Sequence, residues 1–135
     1  MENNNSKGIY IHIPFCLSKC KYCDFFSIPC DLSVFSPEQR NAFFDDYIEA
    51  VCNEVTYRCT NSRDEKKCFV DTIYIGGGTP SLLSVENFEK LLQFFKQSTY
   101  FEISNDCEIT VEVNPDDINE QVLNGYLKAG ITRPS

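Results

Sequence analysis

A change of hydrophobic period, repeated along these 135 residues, limits the possible folds more than any other feature. Residues 8–13 (GIYIHI), 69–75 (FVDTIYI) and 107–113 (CEITVEV) read as short buried strands. Helical patterns lie between them. Ser36, Pro37, Glu38 and Gln39 form a capping box with proline at the first helical position. Phe43, Phe44, Tyr47, Ile48, Val51, Cys52 and Val55 then recur at three- and four-residue spacing. Ser84 opens a second helix, with Phe88, Leu91, Leu92 and Phe95 as its apolar face. Asp116 and Asp117 open a third, with Ile118, Val122, Tyr126 and Leu127 on one face and Gly130 as its stop. Ile131 starts what should be another strand. Repeated strand–helix units predict an α/β domain with a parallel sheet, whose ligands bind at the carboxyl ends of the strands.

Every unusual motif falls at those ends. Cys16, Cys20 and Cys23 follow the first strand with the spacing C-x3-C-x2-C. Three thiolates on one short loop hold three irons of a [4Fe–4S] cluster and leave the fourth open, whereas electron-transfer clusters are closed by four cysteines. The alternative is a structural zinc site closed by Cys30. Zinc sites favour two paired C-x2-4-C knuckles, and Cys30 has no such partner. Gly76, Gly77, Gly78 and Thr79 follow the second strand and precede a helix. Glycines there let a ligand approach the main chain, and no Gly-Lys-Ser/Thr follows to make a phosphate loop. Glu112 ends the third strand on the side of Glu108 and Thr110. Period two puts it inside a barrel if Ile109, Val111 and Val113 pack outward against helices. An ionised carboxylate in such a place needs a partner. Tyr10 and His12 share one side of the first strand by the same rule. Tyr10 and Tyr22 are otherwise read as amphipathic residues at the core edge. The imidazole is either a donor or proton shuttle near a cluster or a satisfied interior histidine.

The net charge of −8 argues against nucleic acid, which needs a basic footprint. The polar start MENNNSK has no leader character, and no apolar run reaches the roughly 18 residues of a membrane span. A cytoplasmic protein is expected, with residues 1–7 a disordered tail. In that setting Cys30, Cys52, Cys59, Cys68 and Cys107 read as buried thiols without ligand spacing.

The cysteine loop after a strand resembles the radical S-adenosylmethionine (radical SAM) superfamily. YIHIPFC from Tyr10 and YIGGGTPS from Tyr74 narrow this to its oxygen-independent coproporphyrinogen III oxidase-like branch. The likeness runs from about Gly8 onward, in the same order. It implies that the open iron binds the amino and carboxylate groups of SAM. One electron from the reduced cluster then cleaves a carbon–sulfur bond to give a 5′-deoxyadenosyl radical. It further implies that Tyr10 and Glu112 contact SAM, that Tyr22 lies near the adenine, and that the segment holding Gly77, Gly78 and Thr79 receives the methionine amino group. No residue is assigned to acid–base catalysis.

Within that branch, the oxidases carry one more cysteine two residues after the last ligand. Phe25 occupies that position here, within CDFFS, which looks like the HemW haem chaperones. The resemblance thus implies haem or porphyrinogen as a further ligand, an electron-donor protein, and haem-receiving respiratory proteins as partners. The family's haem motif and its SAM-binding arginine would lie beyond Ser135. Residues 8–135 are therefore read as an incomplete core, the N-terminal half of a partial (β/α) barrel, inactive by itself. Half a barrel is expected to expose a strand edge and the apolar faces of its helices.

Overall fold

A computed structural model of the chain describes residues 7–16, 28–29, 35–62 and 66–135. Its elements run β1 (Lys7–Ile13), β2 (Phe15–Cys16), β3 (Ile28–Pro29), α1 (Pro37–Thr60), β4 (Cys68–Gly77), α2 (Val85–Gln97), β5 (Phe101–Val111), α3 (Glu120–Ala129) and β6 (Arg133–Pro134). The main sheet is parallel throughout, in the order β1-β4-β5-β6, and is not closed. β2 and β3 form a separate parallel pair. The expected α/β alternation is present.

The first two helices start where their caps predict. The Ser36 hydroxyl accepts the Gln39 N–H at 3.2 Å while the Gln39 carbonyl oxygen accepts the Ser36 N–H at 2.8 Å. Ser84 and Asn87 repeat the arrangement at 3.1 and 2.9 Å. The third helix starts later than expected. Pro115–Asp117 form a 3₁₀ turn, the Asn114 side chain takes the Asp116 N–H, and Asn119 is the true cap. Gly130 ends that helix in the left-handed region, φ +104°. β5 starts six residues before the expected 107. The register slips between Val70 and Thr72, opposite the stretch between Ile103 and Glu108. A bulge of that kind breaks the alternation that a periodic reading depends on.

The strands bury their apolar side chains on one face of the sheet, as the alternation within them predicts. Ile11, Ile13, Ile73, Ile75, Ile109 and Val111 pack with Phe44 and Ile48 of α1, the α2 stripe from Phe88 to Phe95, and Tyr126 of α3. Each such side chain contributes about 1.5–3 kcal/mol. α2 therefore buries its apolar face against the sheet rather than exposing it as expected, whereas in α1 only Phe44 and Ile48 are buried and Phe43 is exposed. Leu127 departs from its expected face and is 66% exposed, because it stands about 100° around the helix from buried Tyr126. Asn87, fully buried, ties α2 to α1 by donating to Asp45 at 2.6 Å and to the Asn41 carbonyl at 3.3 Å. No helix among the described residues is long and apolar enough to cross a membrane.

Candidate functional site

The carboxyl ends of β1, β4 and β5 lie side by side, and their following segments are stitched together through the main chain. The Gly78 N–H donates to the Ile13 carbonyl at 2.7 Å, and the Thr79 N–H to the Phe15 carbonyl at 2.7 Å. Across the other seam, the Glu112 N–H donates to the Ile75 carbonyl at 2.9 Å. Phe15 anchors the start of the cysteine loop by edge-on contacts with Phe43, Phe44 and Tyr47 of α1. Cys16 follows it directly, in β2. Cys20, Tyr22, Cys23, Phe25 and Cys30 lie outside the described residues, as does the side chain of Cys16.

Glu112 sits at the centre of this rim, half-buried. Its Oε1 accepts the Gly77 N–H at 2.8 Å and its Oε2 accepts the Tyr74 hydroxyl at 2.8 Å. Two glycines make that reach possible. A Cβ at Gly76 would stand 2.6 Å from the Glu112 carboxylate, and Gly77 turns the strand end at φ +121°. Tyr10 stacks on Tyr74 with ring centres 6.0 Å apart and planes 18° from parallel. The Tyr10 hydroxyl is 3.1 Å from His12 Nδ1, and the His12 carbonyl accepts the Tyr47 hydroxyl at 2.6 Å. Tyr10, His12, Tyr74 and Glu112 thus share the face of the sheet opposite the three described helices. The Tyr74 phenol is pushed up first by its bond to the Glu112 carboxylate and then by burial. Burial raises the Tyr10 phenol, with Glu112 adding to it. Both remain protonated donors at neutral pH.

Thr79, Gly78 and Glu112 also line a hollow of about 140 Å³ with Pro80, Val113 and Asn114. The structure therefore brings together Tyr10, Gly77, Gly78, Thr79 and Glu112 on one rim, beside the strand that carries Cys16.

Sequence reading missed two contributors. Tyr74 was legible only as part of the strand and as the start of a motif, although it stands two residues before Gly76 and so shares its side. Ser81 was legible only as the end of a motif. Its hydroxyl donates to Asp117 at 2.8 Å and accepts the Asn114 N–H at 3.1 Å, bracing the β4 and β5 loops against each other.

The remaining described cysteines lie away from this rim in the chain. Cys52, Cys59 and Cys68 are half-buried, Cys107 is buried, and all are free. Burial pushes the thiols of Cys52, Cys59 and Cys107 up, so none is an activated thiolate.

The family model described as "Radical SAM superfamily" matches residues 10–135. The chain is 39% identical over 131 residues to the heme chaperone HemW of Haemophilus influenzae, covering 95% of this chain and 31% of that protein. It is 37% identical over 124 residues to HemW of Synechocystis sp., covering 92% and 28%. For HemW of Escherichia coli the figures are 36% over 128 residues, 95% and 30%. Among solved structures, coproporphyrinogen III oxidase (HemN) from Escherichia coli matches with a TM-score of 0.76 at 27% identity, over 96% of this chain and 27% of that one. The chain thus spans between 28% and 31% of the length of these curated relatives. Its open parallel sheet corresponds to the N-terminal part of the HemN barrel.

Proposed function

The chain belongs to the radical SAM superfamily, and from that premise we propose that it contributes the cluster loop and part of the SAM site of a HemW-like haem chaperone. Cys16, Cys20 and Cys23 would hold a [4Fe–4S] cluster. Tyr10, Tyr22, Gly77, Gly78, Thr79 and Glu112 would line the site for SAM. When bound, the reduced cluster supplies one electron to the SAM sulfonium.

The observation that carries this reading is the pair of seams at the rim. Cys16 immediately follows the residue whose carbonyl takes the Thr79 N–H, and Glu112 takes the Gly77 N–H. The donor set suits SAM. Each oxygen of an ionised carboxylate has two acceptor sites, and Glu112 uses one on each for the protein's own donors. The other two suit an ammonium or ribose hydroxyls. Tyr10, exposed beside it, offers an aromatic face and a hydroxyl. The chain's own groups bind and orient; none of them is asked to move a proton.

The chaperone reading rests on the HemW relatives together with Phe25 in place of a further cysteine. In that role the protein would bind haem, act in the cytoplasm, draw on an electron-donor protein and pass haem to respiratory proteins. Residues 8–135 would form one incomplete core. The likeness to HemN supports a second reading, in which porphyrinogen takes the place of haem and is decarboxylated.

Anaerobic reconstitution of the chain with iron and sulfide, followed by EPR of the reduced protein, tests the core of this. A [4Fe–4S] signal that changes on adding SAM is expected, and should vanish in C16A/C20A/C23A. A signal indifferent to SAM would sink the SAM site. Haem titration and a coproporphyrinogen decarboxylation assay then separate the two readings.

A further inference from the structure

We propose that Tyr74 is a positioning residue that fixes the plane of the Glu112 carboxylate for SAM. This rests on the reading that Glu112 accepts from SAM. A glutamate at a strand end has free side-chain torsions that must be fixed before it can present lone pairs in one direction. Here β4 supplies both anchors: the Gly77 amide on Oε1 and the Tyr74 hydroxyl on Oε2, each at 2.8 Å. The amide bond alone would leave the carboxylate free to swing about Oε1. The hydroxyl on the other oxygen removes that freedom.

Tyr74 is itself held in place. Its ring stacks on Tyr10 and lies against Gly76, where an added Cβ would stand 2.9 Å from the ring. Both bonds put a neutral donor on a charged acceptor, the stronger class of hydrogen bond. The phenol stays protonated well past neutrality beside the carboxylate it serves.

The test is a double-mutant cycle on SAM affinity, measured by equilibrium binding to the anaerobically reconstituted chain. Y74F keeps the ring and its stack and deletes only the hydroxyl. It should leave cluster loading unchanged and weaken SAM about tenfold. In an E112A background the same change should do nothing, because the group it positions is gone. Equal SAM affinity in wild type and Y74F overturns the assignment. So does an equal loss in both backgrounds, which would mean that Tyr74 acts without Glu112. If wild type and E112A bind SAM alike, the Glu112 reading fails and this inference falls with it.

A readout independent of SAM and cluster comes from 13C-tyrosine NMR of the apo chain, with Y74F assigning the signal. The Tyr74 phenol should titrate above its ordinary value in wild type and move back down in E112A. A Tyr74 signal that titrates identically in both proteins would show that the hydrogen bond does not form.

Discussion

The two faces of this sheet are built from the same strands by opposite chemistry. On one face Ile11, Ile73, Ile75, Ile109 and Val111 are almost wholly buried beneath three helices. On the other, Tyr10 and Tyr74 are 58% and 38% exposed, in line with His12, Glu108 and Glu112. Parallel sheets are ordinarily covered on both sides, and their strands read as near-continuous apolar runs. Alternation in a parallel strand is therefore a signal in its own right. It marks a polar face, and here that face ends at the rim where Gly77, Glu112 and the strand pair carrying Cys16 lie.

The contrast is tested most severely on the covered side. Phe88 is fully buried and packs edge-on against Tyr126, ring centres 5.4 Å apart. Phe88→Ala should cost about 3–5 kcal/mol in urea denaturation, from lost burial plus the cavity left behind. Tyr74→Phe on the open face should cost about 1.5 kcal/mol or less, the low end for an exposed hydrogen bond to a charged group. Similar losses for the two would mean that the open face is part of the folding core.

Most of this division was legible beforehand, since period two and period 3.6 name the faces directly. Glu112 was placed with Glu108 and Thr110 on parity alone, and Ser36 and Ser84 marked two helix starts by their capping chemistry. Two things were hidden, for physical reasons. The bulge before Glu108 shifts the register and conceals the first half of β5. The Asn114 side chain takes the Asp116 N–H, so the acidic pair that looked like a helix cap belongs to a turn. Hydrogen bonds between strands, such as Tyr74 to Glu112 across 38 positions of chain, have no local signature at all.

A second test compares two tyrosines whose phenols are both raised, for different causes. Tyr74 is raised chiefly by a hydrogen bond on the open face, whereas burial on the covered face, with Asp117 adding to it, pushes Tyr126 up to about 12. Folding therefore favours the neutral Tyr126 phenol over the ionised one. That contribution is fully present below the unfolded value of about 10 and is lost as pH rises through about 12. Urea midpoints across that window should fall in wild type, and fall less steeply in Tyr126→Phe. A wild-type slope unchanged by the substitution would show that Tyr126 is not buried in solution.

The smallest effect is expected from Leu127, and its smallness is informative. It neighbours Tyr126 in sequence yet points to solvent, 66% exposed, while Tyr126 and Ala129 are buried. An apolar side chain in that position loses little on becoming polar, since no burial is forfeited and no cavity opens. Leu127→Gln should thus shift stability by less than about 0.5 kcal/mol in the same urea assay. A loss approaching that of Phe88→Ala would require a surface covering α3 in solution. Measuring the midpoint at two protein concentrations would identify that cover: a concentration-dependent midpoint means a second copy of the chain, and the two-faced description would then need a third buried face.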